Sequence, residues 1–175
     1  MTLFADASYD SRSRAAGWGS WAIRDGWERG RFQGGRIELR DAPVDGSNIA
    51  ELAALALALW KHRAQGDLDG LESIMLQSDS VTALSLIRNK IPGAVVVMTG
   101  GVRVGGKASS RHPSAPIILD TIKMLVGDCR LLLKHVKGHT AKTDGRSWVN
   151  RHCDSEARRH MIAMRKELTC PSPSS

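Results

Sequence analysis

Sulfur, aromatic rings and acidic charge are all scarce in this chain of 175 residues, and each scarcity closes off a class of protein. The cysteines, Cys129, Cys153 and Cys170, are odd in number and form no C-x-x-C pair, so neither a disulfide framework nor a cysteine zinc site is expected. They read as reduced thiols. No window approaches the ~18 consecutive apolar residues of a membrane span, and the N-terminus has no basic segment leading into an apolar run. The expectation is a soluble, cytoplasmic protein with no membrane association. Lys and Arg outnumber Asp and Glu by 25 to 18, for a net charge of +7 and a pI near 9.8. That balance favours a polyanionic partner over an acidic protein surface or a neutral metabolite, and no protein partner is readable. The sharpest local deficit is between residues 80 and 119, where no acid occurs while Arg88, Lys90, Arg103, Lys107 and Arg111 all fall inside.

The length suits one domain, residues 1–168, followed by a Pro/Ser-rich tail, 169–175, expected to be disordered. Alternation predicts a first strand over Leu3–Tyr9, a second over Gly17–Ile23 and a third within Trp27–Leu39, an antiparallel meander. Trp18, Trp21 and Trp27 fit either core and hairpin packing or a base-stacking surface. A helix follows over Ile49–Trp60, with Ser47 or Asn48 available to cap it, then a strand over Leu71–Gln77 and a helix through Val81, Leu84, Ile87 and Ile91. The run 95–106 resembles a hairpin with a Gly-Gly turn or a glycine loop, and with its basic neighbours it reads as a cationic arm for a phosphate backbone or as a solvated excursion. A helix over Ser114–Val126, a strand over Cys129–Val136 and a last helix with Val149, Cys153, Ala157, Met161, Met164 and Leu168 on one stripe complete the pattern. Three strands, then helices alternating with strands, predict a mixed sheet with helices packed on it.

Four acids stand where acids are costly. Asp6 occupies the middle of the first strand, where a charge needs a partner. Glu51 is the sole carboxylate of an otherwise apolar helix, either closing a capping box with Asn48 or looking into a polar pocket. Asp79 follows the fourth strand, as an N-cap or as a residue at the strand's C-terminal end, and Asp154 flanks the last helix's stripe beside Asn150, as a salt-bridge residue or as a site residue. Our reading is that Asp6, Glu51, Asp79 and Asp154 converge to hold magnesium for phosphodiester hydrolysis.

Asp6 before Gly17-Trp18-Gly19, Asn48-x-x-Glu51-Leu52, Ser78-Asp79-Ser80, Val136-Lys137-Gly138-His139 and Asn150-Arg151-His152-Cys153-Asp154, in this order, resemble type 1 ribonuclease H over residues 2 to about 165. The resemblance implies an α/β, ribonuclease H-like fold, with a five-stranded mixed sheet of three antiparallel then parallel strands and helices on both faces. It also implies hydrolysis of the RNA strand of RNA–DNA hybrids by two Mg²⁺ ions, for which Mn²⁺ can substitute. Asp6, Glu51, Asp79 and Asp154 then match the family's metal-binding acids, with Asp6 bridging both ions, and His139 matches its flexible-loop histidine. Ser8, Asn48, Ser80, Arg88, Lys90, Arg103, Lys107 and Arg111 are the expected nucleic-acid contacts. The turn Tyr9–Arg14, Val81 and the glycine- and valine-rich segment 92–113 depart from the family pattern and point to a different substrate grip. A DNA nuclease on the same fold, such as a junction resolvase or exonuclease, and a non-catalytic hybrid-binding module are the alternatives.

Overall fold

The computed structural model describes residues 1–40, 43–97, 104–105, 108–137 and 145–170, without the side chains of residues 145–147. Among them the elements run β1 (Thr2–Tyr9), β2 (Ala16–Ile23), β3 (Arg31–Arg36), α1 (Ser47–Ala64), β4 (Ser73–Ser78), α2 (Val81–Lys90), β5 (Val95–Val97), α3 (Ala115–Val126), β6 (Arg130–His135) and α4 (Gly145–Thr169). The sheet order is β3-β2-β1-β4-β6-β5, with β1, β2 and β3 antiparallel and β4, β6 and β5 parallel to their neighbours. The five expected strands are present, and a sixth, β5, is added outside β6. The remainder of the expected 95–106 hairpin, residues 98–103 and 106–107, lies outside the described residues, as do residues 171–175 of the expected disordered tail. The third strand is shorter than its sequence pattern suggests, because Trp27 is spent in a turn, its N–H bonded to the Arg24 carbonyl at 3.1 Å.

Alternation assigns the faces. Leu3 and Ala5 of β1, with Ile74 and Leu76 of β4 and Leu131 and Leu133 of β6, are buried on the side covered by α1, α2 and α3. Helix α1 is apolar all round because it is sandwiched between the sheet and α3. The opposite face carries Phe4 and Asp6, and α4 lies across β1, β2 and β3 there, burying Cys153, Ala157 and Met161 in a thinner layer.

Two glycines decide how close α4 comes. A Cβ at Gly17 would sit 2.2 Å from the carbonyl oxygen of Ala157, and one at Gly19 would sit 2.3 Å from that of Cys153. Only bare backbone lets the helix rest directly on β2. Gly19 pairs with Asp6 across the β1–β2 ladder, so this contact sets Cys153, and with it Asp154, at the level of Asp6. The tryptophans divide their work: Trp18 is buried in the core, and Trp27 stacks under the Arg31 guanidinium at 4.0 Å.

The far end of the molecule is fastened by a buried hydrogen bond and the contacts around it. His62, fully buried near the end of α1, holds the Asp67 carboxylate at 2.8 Å through Nδ1. Arg31 reaches the same carboxylate at 3.1 Å, and Arg24 donates to the Asp67 carbonyl at 2.7 Å. The β2–β3 hairpin is thereby tied to the C-terminal end of the helix that carries Glu51 at its other end.

Candidate metal centre

Asp6 projects from the middle of β1 toward α4, and parallel pairing of β1 with β4 brings the chain just past Ser78 level with it. Asp79 occupies that position. It is not the cap of α2: Ser80 Oγ accepts from the Ala83 N–H at 3.2 Å, and Ser80 N–H is fixed on Ser78 Oγ at 3.0 Å. His135, at the end of β6, donates from Nε2 to the Asp79 carbonyl at 3.1 Å and steadies the turn. Glu51 arrives from α1. The capping-box alternative fails because α1 is preceded by Gly46 at φ 115° with no side-chain cap, so neither Ser47 nor Asn48 caps the helix and Glu51 lies beyond the capping turn.

One carboxylate oxygen from each of Asp6, Glu51 and Asp79 lies within 4.8 Å of the other two. Asp154 stands outside that trio, but its charge is close enough to act on Asp6. Burial raises the Asp6 carboxyl from 3.8 to about 7, with the Asp79 and Asp154 charges adding to it and the Ala7 N–H, donated to Asp6 Oδ1 at 2.8 Å, opposing it. Glu51 is raised well above its ordinary value, first by burial and then by Asp6 and Asp79. The same burial raises the Cys153 thiol, so it stays protonated and inert. Buried, mutually repelling carboxylates are stable only with protons or cations among them. Glu51 Oε2 and Asn150 Oδ1 are buried acceptors with no hydrogen-bond partner, and Asn150 precedes Asp154 by one helical turn. The donor set is hard oxygen throughout. It fits a hard divalent cation, and among the described residues the cluster offers no soft or nitrogen ligand for zinc or copper.

The expected nucleic-acid contacts separate into groups. Asn48 and Arg111 line one cavity of about 580 Å³, walled by the entrance to α1 and by residues 109–113. Arg88 and Lys90 are not part of it: Arg88 donates to the Pro92 carbonyl at 2.6 Å and Lys90 pairs with Asp120 at 2.6 Å. The hydroxyl of Ser80 is occupied as a cap, and Ser8 is half-buried on the Asp6 face of β1. Arg103, Lys107 and His139 lie outside the described residues. Sequence reasoning missed Arg14, which also lines the cavity and has φ 58°, the left-handed region that non-glycine residues seldom occupy. It also missed His112, whose ring reaches the Pro43 carbonyl. An aromatic group of Phe32, Trp148 and His152, with Phe32 and His152 rings 3.9 Å apart, joins β3 to the start of α4 and was equally hidden, since no spacing links β3 to α4.

Carboxylates gathered from the middle of β1, the end of β4 and helix α1, on a mixed sheet with helices on both faces, define a metal-dependent nuclease of the α/β class. The family model for RNase H matches residues 1–162, and the chain belongs to the RNase H family of two-metal phosphodiester hydrolases. No curated protein sequence matches it. Among solved structures it is similar to RNase H1 from the halophilic archaeon Halobacterium salinarum NRC-1, with a TM-score of 0.60 and 15% identity over 93% of this chain and 97% of that one. The N-terminal RNase H domain of a Mycobacterium tuberculosis protein, solved as a fusion with maltose binding protein, gives 0.55 and 14% over 92% and 99%. LC11-RNase H1, solved in complex with an RNA/DNA hybrid, gives 0.60 and 14% over 93% and 96%. Among the described residues no helix is long and apolar enough to cross a membrane.

Proposed function

We propose that this protein is a cytoplasmic ribonuclease H, an endonuclease that hydrolyses the RNA strand of RNA–DNA hybrids with magnesium, or manganese in its place. The observation that carries the reading is the convergence of Asp6, Glu51 and Asp79 to within 4.8 Å, with the charge of Asp154 acting on Asp6. Family membership and the fold shared with LC11-RNase H1, a protein solved on an RNA/DNA hybrid, support the substrate. The free cysteines accord with a reducing compartment.

Asp6, Glu51 and Asp79 are the residues that would hold divalent ions, with Asp154 completing the set from α4. Bound there, such ions supply a nucleophilic water, neutralise charge on the phosphate and stabilise the departing oxygen. The protein's own work is positional. β1 and β4 present Asp6 and Asp79 rigidly, the Ala7 N–H orients Asp6, and the His135 contact orients the Asp79 backbone. Asn48 and Arg111 place nucleic acid beside the cluster, and His139 serves proton transfer or product exit.

Labelled hybrid, duplex DNA, duplex RNA and a four-way junction, incubated with magnesium or manganese and either wild type or Asp79→Asn, test the reading. Cleavage confined to the RNA of the hybrid, and lost in the variant, is the expected result. Cleavage of DNA or of the junction instead would assign a different nuclease, and binding without cleavage would assign a non-catalytic module.

A further inference from the structure

The cavity at the entrance to α1, the helix that carries Glu51, is lined by Arg14, by Thr82 and Leu86 of α2, and by two further stretches of chain. One is the approach to α1, from Pro43 to Asn48. The other is the stretch carrying Ser110 and Arg111 ahead of α3. That second wall hangs from α2, through a bond from Asn89 Nδ2 to the Ala108 carbonyl at 3.3 Å and another from Gly105 N–H to Ser85 Oγ at 2.9 Å. Neither bond reaches α1.

His112 makes the crossing. Its Nε2 lies 3.0 Å from the Pro43 carbonyl, and its Nδ1 lies 3.1 Å from the Ser114 backbone nitrogen. A carbonyl only accepts and a backbone N–H only donates, so both bonds exist together when the ring carries its hydrogen on Nε2 and leaves Nδ1 bare. The His112 backbone is itself anchored, since its N–H is donated to Ser110 Oγ at 3.2 Å. One imidazole therefore fixes the turn that starts α3 and clasps the opposite wall.

We propose that His112 is a positioning residue for the nucleic-acid substrate: by holding the two walls at one separation, it fixes where Arg111 stands relative to Asn48 and Arg14. The inference rests on the proposed reading of the site as one that takes nucleic acid. Arg111 is exposed, so without the clasp its guanidinium must be ordered anew each time a phosphate arrives. His112 touches none of the carboxylates. Its loss should therefore weaken grip and leave the chemical step alone.

Two variants separate bridging from folding. His112→Ala removes both bonds. His112→Asn keeps the local one, because an asparagine oxygen accepts naturally from the N–H two residues on, but its shorter side chain gives up Pro43. We would measure kcat and KM on a labelled RNA–DNA hybrid with magnesium, Kd for the same hybrid by fluorescence anisotropy in EDTA, and thermal stability. Losing one bridging hydrogen bond should raise KM and Kd by roughly five- to tenfold in both variants, with kcat within about twofold of wild type. His112→Asn should keep wild-type thermal stability. If His112→Asn binds and cleaves like wild type, or loses kcat at unchanged KM, this inference is overturned while the hydrolase reading stands. Wild-type protein that neither binds nor cleaves the hybrid overturns both.

Discussion

Changing Asp6 to asparagine should abolish cleavage and, with divalent ions removed, make the protein more stable. The Asp6 carboxyl is raised from 3.8 to about 7, by burial first and then by the charges of Asp79 and Asp154. The folded protein thus keeps a proton that the unfolded chain has already released anywhere between those two values. Stability contributed by this group is full at acid pH, falls as pH rises through that window and levels off above about pH 7. At about 1.4 kcal/mol per pKa unit the accumulated penalty reaches at most about 4 kcal/mol. Asparagine has nearly the same shape, can still accept from the Ala7 N–H, and carries no charge to desolvate or repel. Recovering half the penalty, ~2 kcal/mol, would raise Tm by roughly 4–8 °C in a chain of this size. Circular dichroism melts in EDTA at about pH 5 and about pH 8 would show wild type losing stability between them and the variant changing much less. Added magnesium should restore wild type at the higher pH and do less for the variant. A variant less stable than wild type at the higher pH, in EDTA, would refute the premise that these carboxylates repel in the folded state.

Other perturbations test the frame around the cluster. Gly19→Ala forces α4 away from β2, since its Cβ would fall 2.3 Å from the Cys153 carbonyl oxygen; displacing Asp154 by about an ångström should cost on the order of 100-fold in single-turnover cleavage. Asp67→Ala leaves the buried His62 Nδ1 without its acceptor and frees Arg31, and should cost about 2–3 kcal/mol in urea unfolding while KM for hybrid stays unchanged. Cys153 should resist thiol reagents in the native protein at a pH where exposed Cys170 reacts at once, and equal reactivity would mean that α4 opens readily.

Much of the fold was legible because strands and helices announce themselves by local period. The acids were legible for a related reason: Asp6 on a central strand and Glu51 on an otherwise apolar helix both break the pattern around them. Features that depend on backbone angle or distant partners were not. Three valines at 95–97 give no sign of which strand they join, so β5 surfaced only with its pairing to β6. The cap of α1 fell to Gly46 at φ 115° where Ser47 and Asn48 had the better side chains, because the chain enters the helix through an angle that glycine reaches easily. Asp79 and Ser80 are adjacent candidates for one cap, and only geometry separates the capping hydroxyl from the carboxylate that faces Asp6 and Glu51. His112 and Pro43 stand 69 residues apart, and no spacing rule connects them.

The resting of α4 on bare glycine backbone also has a temporal side. During translation every strand of the sheet leaves the ribosome before α4, so Asp6, Glu51 and Asp79 can assemble while the fourth acid is still unmade. A nascent chain held at that stage would expose Phe4 and its β2 partner Trp21 to chaperones, and hydrolytic competence would arrive together with the covering of that surface. Folding and the licence to cut nucleic acid would then be one late event.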